Sequence, residues 1–128
     1  MIVVDTSALM AILLNEPEAQ ACVAALVAAE RLLISAGTVA ETLIVAGRRN
    51  VGDEAEKLIS GVGFEVIPTT LAAARAVAQA YGQWGKGIHP AGLNFGDCFA
   101  YELAHSNDCP LLFVGNDFAR TDVKPAAR

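Results

Sequence analysis

The sequence predicts a three-layer α/β/α domain with a mainly parallel central sheet of four or five strands. Three observations carry that expectation. Short runs of strand length, rich in Val, Ile and Leu, recur at 2–4, 32–35, 64–67 and 111–114. Between them lie stretches whose apolar residues fall at helical spacing. Of the 128 residues, 54% are hydrophobic and 18% charged, a composition that fills the core of one domain spanning 1–128 and excludes disorder. Strands that alternate with helices pair in parallel, with helices covering both faces of the sheet.

Each element has a local reason. Ile2-Val3-Val4 is a buried strand that ends at Asp5. Asp5-Thr6-Ser7 supplies N-cap chemistry for a short helix over Ala8–Leu14, and Asn15 ends it. Pro17 suits the first turn of the next helix, whose face is Ala19, Cys22, Val23, Leu26 and Val27. Leu32–Ser35 is a second strand. Thr38–Gly47 reads as a helix with Gly47 near its C-cap, and Asp53–Ile59 as another ended near Gly61. Phe64–Ile67 is a third strand, stopped by Pro68. Thr70 caps a helix with Leu71, Ala74, Val77, Ala78 and Tyr81 inward. Residues 82–96 hold five glycines and a proline and read as a long irregular loop, a type of segment that is commonly functional. Asp97–Ser106 is helical, Leu111–Val114 is a fourth strand, Gly115-Asn116-Asp117 is a turn, and Thr121–Lys124 reads as a short fifth strand at an edge.

Composition narrows the function classes. No apolar run approaches the roughly 18 residues of a membrane span, and the chain opens on Ile2-Val3-Val4 with no basic leader, so a cytoplasmic location is expected. Cys22, Cys98 and Cys109 sit at no metal-ligand spacing, an arrangement that fits buried thiols in a reducing compartment. The net charge of −5 speaks against a general nucleic-acid binder. Its distribution matters more than its sum.

Five acids stand out: Asp5, Glu41, Asp97, Asp117 and Asp122. Each has an ordinary explanation. Asp5 can cap the helix after it. Glu41 completes the capping box Thr38-Val39-Ala40-Glu41. Asp97 sits in a helix first turn, where the macrodipole favours a carboxylate. Asp117 lies in a turn, and Asp122 reads as a solvated acid. Together they are less ordinary. Asp5 and Asp117 follow apolar strands, and ligands of parallel sheets bind beyond the C-terminal strand ends. Carboxylates gathered there repel one another unless cations neutralise them. Hard oxygen ligands suit Mg²⁺ or Mn²⁺, and such ions activate water for attack on a phosphodiester. Set those five aside, and nine acids face nine basic residues.

Four segments in order, VVDTSALMAILLNEPEA, TVAETLIVA, LNFGDCFAYELA and LLFVGNDFARTDV, resemble the PIN domain, and within it the VapC toxins of type II toxin–antitoxin systems. The resemblance covers essentially the whole chain. It implies a Mg²⁺-dependent endoribonuclease with Asp5, Glu41, Asp97 and Asp117 as catalytic, metal-holding acids. Asp122 matches a further acid near the metal, Thr6 and Ser7 match hydroxyls that support the first Asp, and Asn116 matches a polar neighbour of Asp117. A small antitoxin partner and a homodimer are implied as well. The apolar side chains of the first two helices (Leu9, Met10, Ile12, Leu13, Val23 and Leu26) exceed one buried face and are expected to form the antitoxin groove.

The remaining residues stay open. His105 reads as structural, and His89 sits in the glycine loop. Arg48, Arg49, Lys86, Arg120 and Lys124 are phosphate-contact candidates. Trp84 and Phe95 are suited to base stacking or to core packing. Two other readings stand beside the nuclease: a PIN fold acting only as a binding or regulatory module, and a phosphohydrolase of the haloacid dehalogenase type. The second requires an Asp two residues after Asp5, where this chain has Ser7.

Overall fold

The computed structural model describes residues 1–127; Arg128, the last residue of the expected domain, lies outside the described residues. Four strands, β1 (Ile2–Val4), β2 (Leu32–Ser35), β3 (Glu65–Ile67) and β4 (Leu111–Leu112), form one parallel sheet in the order β3-β2-β1-β4. The helices are α1 (Thr6–Leu13), α2 (Ala19–Ala28), α3 (Ala36–Arg48), α4 (Gly52–Gly61), α5 (Leu71–Trp84) and α6 (Phe95–Ser106), followed by a 3₁₀ turn at Phe118–Arg120.

Strand alternation builds the three layers. Val3, Leu33 and Leu111 point to one face, where they pack with Val77 and Ala80 of α5 and with Cys98, Tyr101 and Ala104 of α6. Val4, Leu32, Ile34 and Leu112 point to the other, against Ala8, Leu9, Cys22 and Leu26 of α1 and α2. Successive strand residues face opposite sides, so runs as short as IVV and LL are buried on both. Met10, Ala46 and Ala55 close a third, smaller core between α1, α3 and α4. The chain moves outward from β1 through β2 to β3, then returns to place β4 on the other side of β1. The strand order therefore reverses at β1, the position where open parallel sheets bind ligands. Asp5 is the first residue beyond that strand.

Five expectations change. The inner face of α5 is narrower than expected: Val77 and Ala80 are buried, while Leu71, Ala74, Ala78 and Tyr81 are exposed, because α5 packs on one side only. The fifth strand over Thr121–Lys124 shrinks to one parallel bridge between Leu111 and Pro125, because the 3₁₀ turn at 118–120 takes up the approach to the sheet edge. The long glycine loop contracts: α5 runs on to Trp84, α6 begins at Phe95, and Gly85 bridges Leu93. The capping-box reading of Glu41 fails. Ser35 caps α3 through its side chain on the Gly37 N–H, so the helix starts before Thr38 and Glu41 lies in its second turn. Most of the apolar excess on the first helices is core. Leu9, Met10 and Leu26 are buried, Ile12 and Leu13 are partly so, and Val23 and Val27 are the exposed remainder. Among the described residues, no helix is long and apolar enough to cross a membrane.

Candidate metal centre

Asp5 is the N-cap of α1, and the cap geometry positions it. Its Oδ2 accepts from the Ser7 N–H at 3.0 Å and from Ser7 Oγ at 2.6 Å. Ser7 Oγ in turn accepts from the Val114 N–H at 3.0 Å, tying the carboxylate to the chain that leaves β4. The other oxygen, Oδ1, is buried with no hydrogen-bond partner. Buried carboxylate oxygens are nearly always satisfied, so an orphan of this kind marks a place for an ion or water. The Asp5 pKa is raised to about 7: burial is the main cause, the two Ser7 hydrogen bonds oppose it, and the charges of Asp97 and Glu41 add to it.

Asp97 occupies the first turn of α6 in a true capping box. Asn94 Oδ1 accepts from the Asp97 N–H at 2.8 Å, and Asp97 Oδ2 accepts from the Asn94 N–H at 2.9 Å. Its pKa also rises, to about 6, chiefly by burial and then by the charges of Glu41 and Asp117, against the Asn94 hydrogen bond. The capping explanation therefore holds for both Asp5 and Asp97, and in each the cap also fixes the direction of the carboxylate.

Glu41 reaches in from α3. Its Oε1 accepts from Thr6 Oγ1 at 2.6 Å, and its carboxylate lies directly over Gly96. A Cβ at Gly96 would collide with that carboxylate. The obstruction is the free end of a flexible side chain, so the fold survives and Glu41 is displaced. We predict that Gly96→Ala lowers RNA cleavage at least about tenfold with little change in melting temperature; equal cleavage by the two proteins would refute this placement.

Asp117 closes the set from the exposed turn after β4, and its charge is felt at Asp97. Asn116 lies exposed beside it. The four carboxylates are coupled through space, yet among the described residues no three acidic, His or Cys side chains close on one cation-sized point. Donor chemistry and the orphaned Asp5 Oδ1 fit a hard divalent cation.

Asp122 is not brought to this cluster. Its Oδ1 accepts from Tyr101 Oη at 2.7 Å, and it lines a cavity with His105, Asp108 and Lys124 at the C-terminal end of α6, away from Asp97 in the first turn. His105 stacks on Tyr101 and His89 meets the edge of Trp84, so both histidines join an aromatic cluster. Trp84 packs against the core, whereas Phe95 is exposed. Arg120 donates to the Pro90 carbonyl at 3.0 Å, while Arg48, Arg49, Lys86 and Lys124 are exposed. Two buried hydroxyls are given no place near the acids by the sequence alone: Thr38, expected only as a helix cap, and Thr42. Their signal was their spacing, since four residues apart they share one face of α3, the face turned to Thr6 of α1.

The family model described as PIN domain matches residues 2–124. This chain belongs to the PIN domain family. Ribonuclease VapC36 of Mycobacterium tuberculosis is 45% identical over 127 residues, covering 95% of this chain and 91% of the relative. Ribonuclease VapC30 of the same organism is 40% identical over 128 residues, 98% of each chain. Within the family, then, the chain groups with the VapC ribonucleases. Two solved structures share the fold. M. tuberculosis VapC20, described as a sarcin–ricin loop cleaving toxin, superposes with a TM-score of 0.77 at 15% identity, over 98% of this chain and all of that one. A toxin–antitoxin complex from Klebsiella pneumoniae superposes with a TM-score of 0.72 at 18% identity, over 100% and 99%. The haloacid dehalogenase reading falls with this membership; Ser7 serves Asp5 as a hydrogen-bond partner.

Proposed function

We propose that this chain is a divalent-cation-dependent endoribonuclease and the toxin of a type II toxin–antitoxin pair. The observation that carries the reading is the buried, unpartnered Oδ1 of Asp5 at the sheet's switch point, electrostatically coupled to Glu41 and Asp97. The relatives named as ribonucleases support RNA as the substrate.

Asp5, Glu41, Asp97 and Asp117 would hold Mg²⁺ or Mn²⁺. The bound ion would lower the pKa of a water and offset charge on a phosphodiester under in-line attack. The chain's own residues prepare the place. Ser7 occupies one Asp5 oxygen and leaves the other free, Thr6 steadies Glu41, and the Asn94 N–H fixes Asp97. The thiol next to Asp97 does not compete as a nucleophile: burial pushes Cys98 up to about 11, and it stays protonated at neutral pH. RNA cleavage is expected with Mg²⁺ or Mn²⁺ and lost in EDTA. Metal binding without cleavage would support the binding-module reading instead, and cleavage that survives chelation would sink the metal role.

A cytoplasmic location and a small antitoxin partner belong to the same proposal, as does a homodimer. An apolar cleft of about 430 Å³ beside Glu41, lined by Ile44, Phe95 and Phe99, supports the dimer, because Ile44 and Phe95 are exposed there at 58% and 70%. Light scattering is expected to give a dimer for the wild type and a monomer for Ile44→Lys; an unchanged mass for the variant counts against this face.

A further inference from the structure

We infer that Thr42 is a positioning residue, whose hydroxyl fixes the direction of a hydrogen-bond relay ending on Glu41. The inference rests on the metal-dependent reading above. Thr42 stands on α3, next to Glu41 in sequence and fully buried. A threonine inside a helix commonly returns its proton to the carbonyl one turn back, which here is that of Thr38. Thr42 instead donates across the helix interface to Thr6 Oγ1, at 3.1 Å.

That choice decides what Thr6 does. A hydroxyl has one proton, and the Thr6 oxygen is already accepting from Thr42. Two acceptors lie within reach of the Thr6 proton: the Thr38 carbonyl at 3.5 Å and Glu41 Oε1 at 2.6 Å. The short, charge-assisted bond wins. With Thr42 donating, the Thr6 proton is committed outward to Glu41, and the two bonds, one buried and one partly so, strengthen each other. Glu41 is thereby held on Oε1 by the relay, while Gly96 leaves room for the carboxylate above α6. Glu41 carries the charge, Thr6 orients it, and Thr42 orients Thr6. Partners behind a metal-holding carboxylate commonly matter almost as much as the carboxylate itself.

The test removes the donor and keeps the shape. Mn²⁺ affinity is measured by calorimetry without RNA, alongside kcat and KM for RNA cleavage, on wild type, Thr42→Val and Thr42→Ser. Thr42→Val is expected to weaken Mn²⁺ binding and to lower kcat, each about tenfold, with KM for RNA little changed; Thr42→Ser is expected to restore both. Should Thr42→Val fail to fold, Thr42→Ala replaces it and is read against Thr42→Ser, since both lack the γ-methyl and Ala lacks the hydroxyl as well. Wild-type Mn²⁺ affinity in the donorless variant would overturn the relay. So would equal damage in Ser and Ala, which would mark a packing role. A wild type that binds no Mn²⁺ would instead bring down the metal reading, and the relay's purpose with it.

Discussion

Asp5→Asn is expected to abolish RNA cleavage while raising the melting temperature of the metal-free protein. The two effects have one cause. Asp5 is 2% exposed, and its carboxyl pKa is lifted from 3.8 to about 7. At pH 8 the folded chain must hold that charge in a poorly solvated site, near Glu41 and Asp97. A shift of that size corresponds to at most about 4 kcal/mol of destabilisation. Asn removes the charge. Both Ser7 hydrogen bonds fall on a single oxygen of Asp5, so the amide oxygen of Asn takes over both. The amide nitrogen then stands where Oδ1 was, and leaving it unpaired costs roughly 1–3 kcal/mol. The balance favours the variant by about 1–3 kcal/mol, and a gain of that order raises the melting temperature of a domain this size by roughly 5 °C. The same nitrogen cannot ligate a hard cation, so cleavage is expected to fall by at least about a hundredfold. Calorimetric melting in EDTA at pH 8 and cleavage in Mg²⁺ check the pair. A variant that melts lower and still cuts RNA would remove Asp5 from the site.

How much of this was legible in the sequence follows from the reach of each interaction. The strands were, because burial on both faces demands apolar runs, and IVV and LLIS are such runs. Asp5 and Asp97 were, because the capping residues that aim them are sequence neighbours. Glu41 was picked out with a mistaken local role. Thr38-Val39-Ala40-Glu41 has the form of a capping box, but Ser35, at the end of a strand, captures the helix start three residues earlier. No local rule ranks two adequate caps. Asp122 shows the opposite limit. Sequence order puts it beside Asp117, yet the 3₁₀ turn at Phe118–Arg120 carries it round to Tyr101. The relay from Thr42 through Thr6 spans 36 residues, and only the packing of α1 on α3 brings its ends together.

Stability of the metal-free protein is expected to fall as pH rises from about 4 to about 7, opposite to the behaviour of ordinary paired carboxylates. Asp5 and Asp97 both have folded pKa values above the 3.8 of a free Asp, at about 7 and about 6, and burial is the leading cause for each. A raised folded pKa means that the native chain keeps protons the unfolded chain has already released. Their contribution is therefore fully present below about pH 4 and is lost as pH climbs through 6 and 7. Other carboxylates titrate in the acid part of this window, so the contrast with Asp5→Asn isolates the effect: the wild-type melting temperature should decline relative to the variant as pH goes from 5 to 8 in EDTA. A divalent cation reverses the sign. Deprotonated carboxylates are its ligands, so binding strengthens as pH rises. At a hundred times its Kd the ion contributes about 3 kcal/mol to the native state, enough to offset much of the Asp5 cost. Saturating Mn²⁺ should thus flatten the wild-type profile and leave Asp5→Asn almost unmoved. Parallel profiles for the two proteins, with and without the ion, would mean that the acids never share a cation. The net charge of −5 would then count against RNA binding, since no metal would offset the acids at this sheet edge.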